Sequence, residues 1–167
     1  HVFDFIDEET DFKGYKLLIL PDQILLCDKL TARVNEYIAG GGKVLLTGVS
    51  GLDMDMQKFT IDVGADFAGF NPLRPDYMVP KFETVNGDTA YVMYSQGMLL
   101  KNVTGEVFAE RQASYFNRAY NHFSSHQHTP NDMDAPLEPA AVMKGNVAYI
   151  GWNIFEDYAT KGELICK

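Results

Sequence analysis

The stretch from Gly14 to Asp53, GYKLLILPDQILLCDKLTARVNEYIAGGGKVLLTGVSGLD, reads as strand, helix, strand and then a sharp turn. Tyr15 to Leu20 is a near-continuous apolar run of the kind that fills a parallel strand buried on both faces, closed by Pro21-Asp22. From Asp28, which can cap a helix, Leu30, Val34, Tyr37 and Ile38 fall at helical spacing until Gly40-Gly41-Gly42 stops it. Lys43 to Thr47 is the next buried strand, so the unit predicts a right-handed parallel crossover. A tight turn after such a strand is where many α/β enzymes expose a nucleophile, but here the turn carries Gly48.

Outward from this unit, composition sets the bounds. With 167 residues, 46% hydrophobic and 13% aromatic, the chain can bury one substantial core, and a single domain over 1–167 is expected. A formal charge of −9 without a Lys/Arg stripe argues against nucleic-acid binding, because phosphates need neutralising cations. Cys27 and Cys166 form no CxxC pair and read as free thiols. No apolar run reaches the roughly 18 residues of a membrane helix, so no membrane partner is expected. The start at His1-Val2-Phe3 has neither Met nor a basic leader and reads as an internal piece of a larger protein; nothing assigns a compartment.

Elsewhere the patterning is local. His1 to Ile6 alternates like a short strand, and Phe59 to Val63 is a further candidate. Gly64 to Pro80, with Pro72, Pro75 and Pro80, reads as loop. Lys81 to Thr84, Ala90 to Tyr94 and Glu106 to Arg111 read as short strands, with Asn86-Gly87-Asp88 as a turn. Ala140 to Lys144 and Val147 to Gly151 flank Gly145-Asn146, a two-residue turn that marks a hairpin, and Ile154 to Ile165 reads as a closing helix.

The runs Asp11-x-x-Gly14-Tyr15-Lys16-Leu17-Leu18-Ile19-Leu20-Pro21-Asp22, Leu25-Leu26-x-Asp28-x-Leu30 and Tyr37-Ile38-x-Gly40-Gly41-Gly42-Lys43-Val44-Leu45-Leu46-Thr47-Gly48 resemble the beta-galactosidase trimerisation domain of bacterial glycoside hydrolases. The resemblance implies an α/β fold similar to class I glutamine amidotransferases: flavodoxin-like, a mostly parallel sheet with helices on both faces. The family's first strand and helix are missing ahead of Val2, which would leave an open sheet edge and bare apolar faces. Those amidotransferases use a Cys on the elbow and a His-x-Glu after a late strand. Here the elbow is Gly48 and the late segment is Gly151-Trp152-Asn153-Ile154, so the resemblance implies no catalytic residue and no cofactor. It implies instead a non-catalytic accessory or oligomerisation domain, whose partners are further copies and the barrel domain of its parent chain.

Other chemistry is sparse. Gly48-Val49-Ser50-Gly51 misses the nucleophile motif because position 52 is Leu, and Asn102-Val103-Thr104 matches a glycosylation sequon by chance. Glu106, Glu110, Asp132, Asp134 and Glu138 are available as a glycosidase pair, but spacing alone cannot pair them. The densest polar cluster is Tyr115 to Pro130, with three of the chain's four histidines within seven residues. Tyr115, Asn117, Arg118, His122, His126 and His128 are the ligand-binding candidates: aromatic faces beside planar hydrogen-bonding groups suit a pyranose ring. Three alternatives stay open: a surface loop, a carbohydrate contact serving a glycosidase active site, or a metal site on His122, His126 and His128 with Asp132 or Asp134.

Overall fold

The computed structural model describes residues 3–84, 87, 89–124 and 129–161. Strand β1 (Leu17–Leu20), helix α1 (Asp28–Ala39) and β2 (Lys43–Thr47) form where the opening stretch places them. β3 (Asp66–Phe70), β4 (Asp76–Pro80), β5 (Tyr91–Met93), β6 (Met98–Lys101), β7 (Glu106–Gln112), β8 (Glu138–Lys144), β9 (Val147–Ile150) and helix α2 (Ile154–Lys161) follow. The main sheet runs β1-β2-β9-β8-β7-β4-β5, and β3 pairs with β6 separately.

This corrects the flavodoxin-like expectation. Only β1, β2 and β9 are parallel; from β9 through β8, β7 and β4 to β5 every pairing is antiparallel. The described residues hold two α-helices, not a layer on each face. The physical reason lies in the connections. Each parallel neighbour needs a crossover of about a dozen residues or more, usually a helix. After Thr47 the sequence supplies Gly- and Pro-marked short strands instead, which close as antiparallel pairs, with Gly145 at φ +57 turning β8 into β9.

Several local expectations shift with it. Residues 3–6 form no strand, and 59–63 contribute only the isolated bridge Leu52–Phe59. The expected loop at 64–80 contains β3 and β4, with β4 ending at Pro80 where a strand from Lys81 was expected. Cys27, not Asp28, is the N-cap of α1, and Asp28 stands in its first turn, where a negative charge suits the helix dipole. Helix α2 is described to Lys161; the remainder of the expected helix, Cys166, Asn86 and Asp88 lie outside the described residues.

The glycine stop of α1 has a steric cause as well. A Cβ on Gly42 would stand 2.4 Å from the Tyr37 ring, so the ring packs down onto the chain where it turns into β2. Tyr37 Oη then donates to the carbonyl of Tyr15 at 3.0 Å, tying helix to sheet.

The larger core lies under α1. Leu18, Leu20, Val44, Leu46, Val147, Tyr149 and Val142 face Val34 and Tyr37, each such buried aliphatic being worth about 1.5–3 kcal/mol. The strand period of two turns Leu17 and Ile19 the other way, and they are 47% and 43% exposed. Strand β1 is therefore covered on one face only, against the expectation of burial on both. On that second face a smaller core of Met78, Met93, Ala109, Ala140, Ala141 and Trp152, with Ile150 and Ile154 packed against it, covers the antiparallel half of the sheet.

Candidate functional site

Two places bring polar groups together: the turn after β2, and the exposed arm 115–123 with the buried cluster beneath it. At the turn, Gly48 has φ +60, and a Cβ there would fall 2.1 Å from Asn153 Oδ1 and 2.5 Å from the carbonyl oxygen of Asp22. Such distances leave no room for any side chain. The backbone itself is engaged: Gly48 N donates to the Ile150 carbonyl at 3.0 Å, and the Gly48 carbonyl accepts from Tyr149 Oη at 2.7 Å. Burial pushes the Tyr149 phenol far above its ordinary range, which keeps it the neutral donor.

The groups around this turn are spent on architecture. Asp22, buried, accepts from Thr47 Oγ1 at 2.6 Å and from the backbone N–H of Glu156 at 2.8 Å, so its carboxylate sits at the N-terminus of α2. Ser50 is fully buried and accepts from the N–H of Ile24 at 3.0 Å, a brace between loops rather than a nucleophile. Ser95 Oγ donates to Asp157 at 3.0 Å and accepts from the N–H of Asn153 at 3.1 Å. Burial raises the Asp157 carboxyl above its usual value, but the residues after β9 are Gly151, Trp152 and Asn153, with no histidine to act as base.

The second place is built on β4 and β7. Asp76 is fully buried at the start of β4, where its Oδ1 accepts from Trp152 Nε1 at 2.7 Å and its Oδ2 from Asn71 Nδ2 at 2.7 Å. Arg111 on β7 lies 3.8 Å from the same carboxylate, donates to the Met98 carbonyl at 3.1 Å, and reaches Glu138 at 3.3 Å. Desolvation outweighs these donors and pushes the Asp76 carboxyl up to about 6. A Cβ at Gly97 would stand 2.6 Å from Asp76 Oδ2, so this position must stay bare for the cluster to close.

Above the cluster, the arm 115–123 is fixed at its base. Ser114 bridges Asn131, Asn131 Nδ2 donates to Gln112 at 2.6 Å, and Tyr77 Oη donates to the Thr129 carbonyl at 2.7 Å. Burial pushes the Tyr77 phenol up to about 12, so it too remains a donor. Within the arm, Ala119 and His122 exchange backbone hydrogen bonds of 2.8 and 3.1 Å, and the His122 ring stacks on Phe116 with centroids 3.8 Å apart.

Of the residues singled out from sequence, Tyr115, Asn117, Arg118 and His122 stand on this arm, all exposed, with Tyr120 at 98% exposure and Phe123 beside them. Arg118, Ala119, Tyr120 and Phe123 line an open depression. The Asn117 side chain is already engaged: it accepts from the N–H of Arg74 at 2.7 Å and donates to the Pro72 carbonyl at 2.7 Å. His126 and His128 lie outside the described residues. Among the described residues no group of three His, Cys, Asp or Glu is arranged to hold a metal ion. Of the five carboxylates considered for a glycosidase pair, three are engaged locally: Glu110 with Lys81 at 2.9 Å, Glu138 with Arg111, and Asp132 with the N–H of Asp134 at 3.0 Å.

Sequence reasoning passed over Asp76, Asn71, Arg111 and Asp22. Single polar residues within apolar runs carry no periodic signal, although Asp-Tyr-Met-Val-Pro with a charge heading an apolar run offered a hint.

The family described as the beta-galactosidase trimerisation domain matches residues 2–161. Beta-galactosidase GanA of Bacillus subtilis (strain 168) is 29% identical over 123 residues, covering 69% of this chain and 18% of that protein. Among solved structures, alpha-L-fucosidase isoenzyme 2 from Paenibacillus thiaminolyticus gives a TM-score of 0.92 at 42% identity, over 98% of this chain and 25% of that one. A beta-galactosidase from Bacillus circulans sp. alkalophilus gives a TM-score of 0.60 at 17% identity, over 96% of this chain and 25% of that one, a likeness of fold alone. The chain thus spans a quarter or less of the length of these relatives.

Proposed function

Since the chain belongs to the beta-galactosidase trimerisation domain family, we propose that it is a non-catalytic accessory domain of a glycoside hydrolase that holds copies of its parent enzyme together. The observation that carries the reading is Gly48: the elbow at the end of β2 is closed by Asn153 and Asp22, so no nucleophile can stand there. Support for an assembly role comes from apolar side chains facing solvent, with Leu17 and Ile19 on edge strand β1 and Phe3 and Phe5 exposed in the segment leading to it. Interfaces draw their energy from a few such anchors.

The parent's substrate is proposed from the fucosidase likeness. At 42% identity and a TM-score of 0.92 over nearly the whole chain, that relative favours an alpha-L-fucoside over a beta-galactoside as the sugar cleaved by the parent. The test is sedimentation of the parent enzyme with and without this domain, beside hydrolysis of aryl alpha-L-fucosides and aryl beta-D-galactosides. An unchanged mass after removal would end the assembly reading, and cleavage of the galactoside alone would end the fucoside reading.

A second reading is favoured by one observation, the exposure of Tyr115, Tyr120 and Phe123 beside Arg118. Here the arm contributes a wall to the sugar site of the parent or of a neighbouring copy. Tyr120→Ala would then raise KM of the parent without altering its mass; an unchanged KM would remove this reading.

A further inference from the structure

An exposed arm with few buried contacts has little of its own to offset the conformational entropy of being ordered, so its shape depends on tethers. Beyond its base, the arm is tethered by Asn117, whose side-chain amide has both halves in use. Asn117 Oδ1 takes the N–H of Arg74 and Nδ2 gives to the carbonyl of Pro72, each at 2.7 Å, as a peptide group does in a sheet ladder. Aspartate lacks the donor, and alanine lacks both groups.

The receiving turn is itself fixed from below. Asn71 Oδ1 accepts from the N–H of Leu73 at 3.2 Å, and the Asn71 backbone N–H donates to the Gly97 carbonyl at 2.8 Å. Arg74 Nε donates to the carbonyl of Tyr94 at 2.6 Å. Asn71 Nδ2 reaches Asp76, and Asp76 receives the indole N–H of Trp152. A continuous series of bonds therefore runs from Asn117 through the 71–74 turn and Asp76 to Trp152.

We propose that Asn117 is a positioning residue that locks the aromatic arm 115–123 to the buried cluster of Asn71, Asp76 and Trp152, so that the arm's conformation and the core beneath the turn change together. The lock is independent of whether a subunit or a sugar occupies the arm. It gives the amide of Asn117 a structural use on the same exposed arm that presents Tyr115, Arg118 and Tyr120.

Spatial continuity alone does not establish coupling; a cycle of variants does. Trp152 is the sole tryptophan of the chain, so its indole N–H gives one resonance to follow beside amide hydrogen exchange of residues 115–123. Asn117→Ala is expected to speed exchange in the arm by about tenfold, as loss of two hydrogen bonds implies, and to shift the indole resonance. Asn117→Asp, keeping the acceptor for Arg74 and lacking the donor for Pro72, is expected to fall between, which also serves if the alanine variant does not fold. Combining Asn117→Ala with Asn71→Ala is expected to give less than the sum of the single effects. Unchanged arm exchange in both Asn117 variants overturns the lock. Faster exchange with an unmoved indole resonance and additive single effects overturns the coupling.

Discussion

Trp152 and Asp76 are 76 residues apart in sequence and joined by a hydrogen bond of 2.7 Å between the indole Nε1 and the carboxylate Oδ1, with both side chains fully buried. This contact fastens the segment after β9 to the start of β4, across a sheet in which β8 and β7 lie between the two strands. It also places an ionisable group where water cannot solvate its charge, which gives the first prediction.

Asp76 titrates at about 6 in the fold against 3.8 when solvated, because burial disfavours its anion. A raised carboxyl pKa contributes stability that is complete below about pH 4 and is lost as pH rises through about 6. Denaturant unfolding from pH 4 to 7 should show wild type losing roughly 2–3 kcal/mol relative to Asp76→Asn over that window. A constant difference between the two proteins would show that Arg111 and the two donors, not desolvation, dominate.

Gly48→Ala is expected to destabilise the domain by about 2–4 kcal/mol, since the new methyl meets a backbone oxygen of Asp22 and Asn153 Oδ1 at a left-handed φ of +60. Gly48→Cys should cost as much and gain no hydrolytic activity. Urea midpoints and an aryl-ester assay check both.

Asp22→Ala removes the carboxylate that receives Thr47 and the first N–H groups of α2. The expected loss is about 1–2 kcal/mol, and circular dichroism should show α2 fraying before the sheet melts. An unchanged helical signal and midpoint would mean that α2 is held by the packing of Ile154 and the Ser95–Asp157 bonds rather than by Asp22.

Adjacent leucines on β1 should behave oppositely. Leu18 is 8% exposed beneath α1 and Leu17 is 47% exposed, so Leu18→Ala should cost about 2–4 kcal/mol and Leu17→Ala under about 1. Equal losses in thermal unfolding would contradict the register Leu17–Lys43 and Leu18–Val44.

Legibility followed the range of the interactions. The β1-α1-β2 unit and the Gly145–Asn146 hairpin were readable because apolar spacing and turn residues act within a dozen positions. β3, β4 and β6 were not, because their partners lie far off: Asp66 pairs with Lys101, and Tyr77 with Gln112. Three prolines disguised β4, whose Pro80 sits at its last position, where a missing donor is tolerated. The glycine at position 48 could be read directly, whereas the engagement of the Asn117 side chain depended on a turn 43 residues upstream. The family resemblance named the right relatives and carried over a mostly parallel, flavodoxin-like topology that the strand pairing does not have.

The outer flank of β1, where Leu17 and Ile19 lie along the terminal strand of the sheet, ties two properties that engineers prefer to adjust separately. A charge placed there to keep the purified domain from clumping would also alter the apolar surface offered to the assembly proposed above. If the proposed assembly uses this flank, solubility in isolation and fidelity of association are both written in Leu17 and Ile19, and neither can be tuned without moving the other.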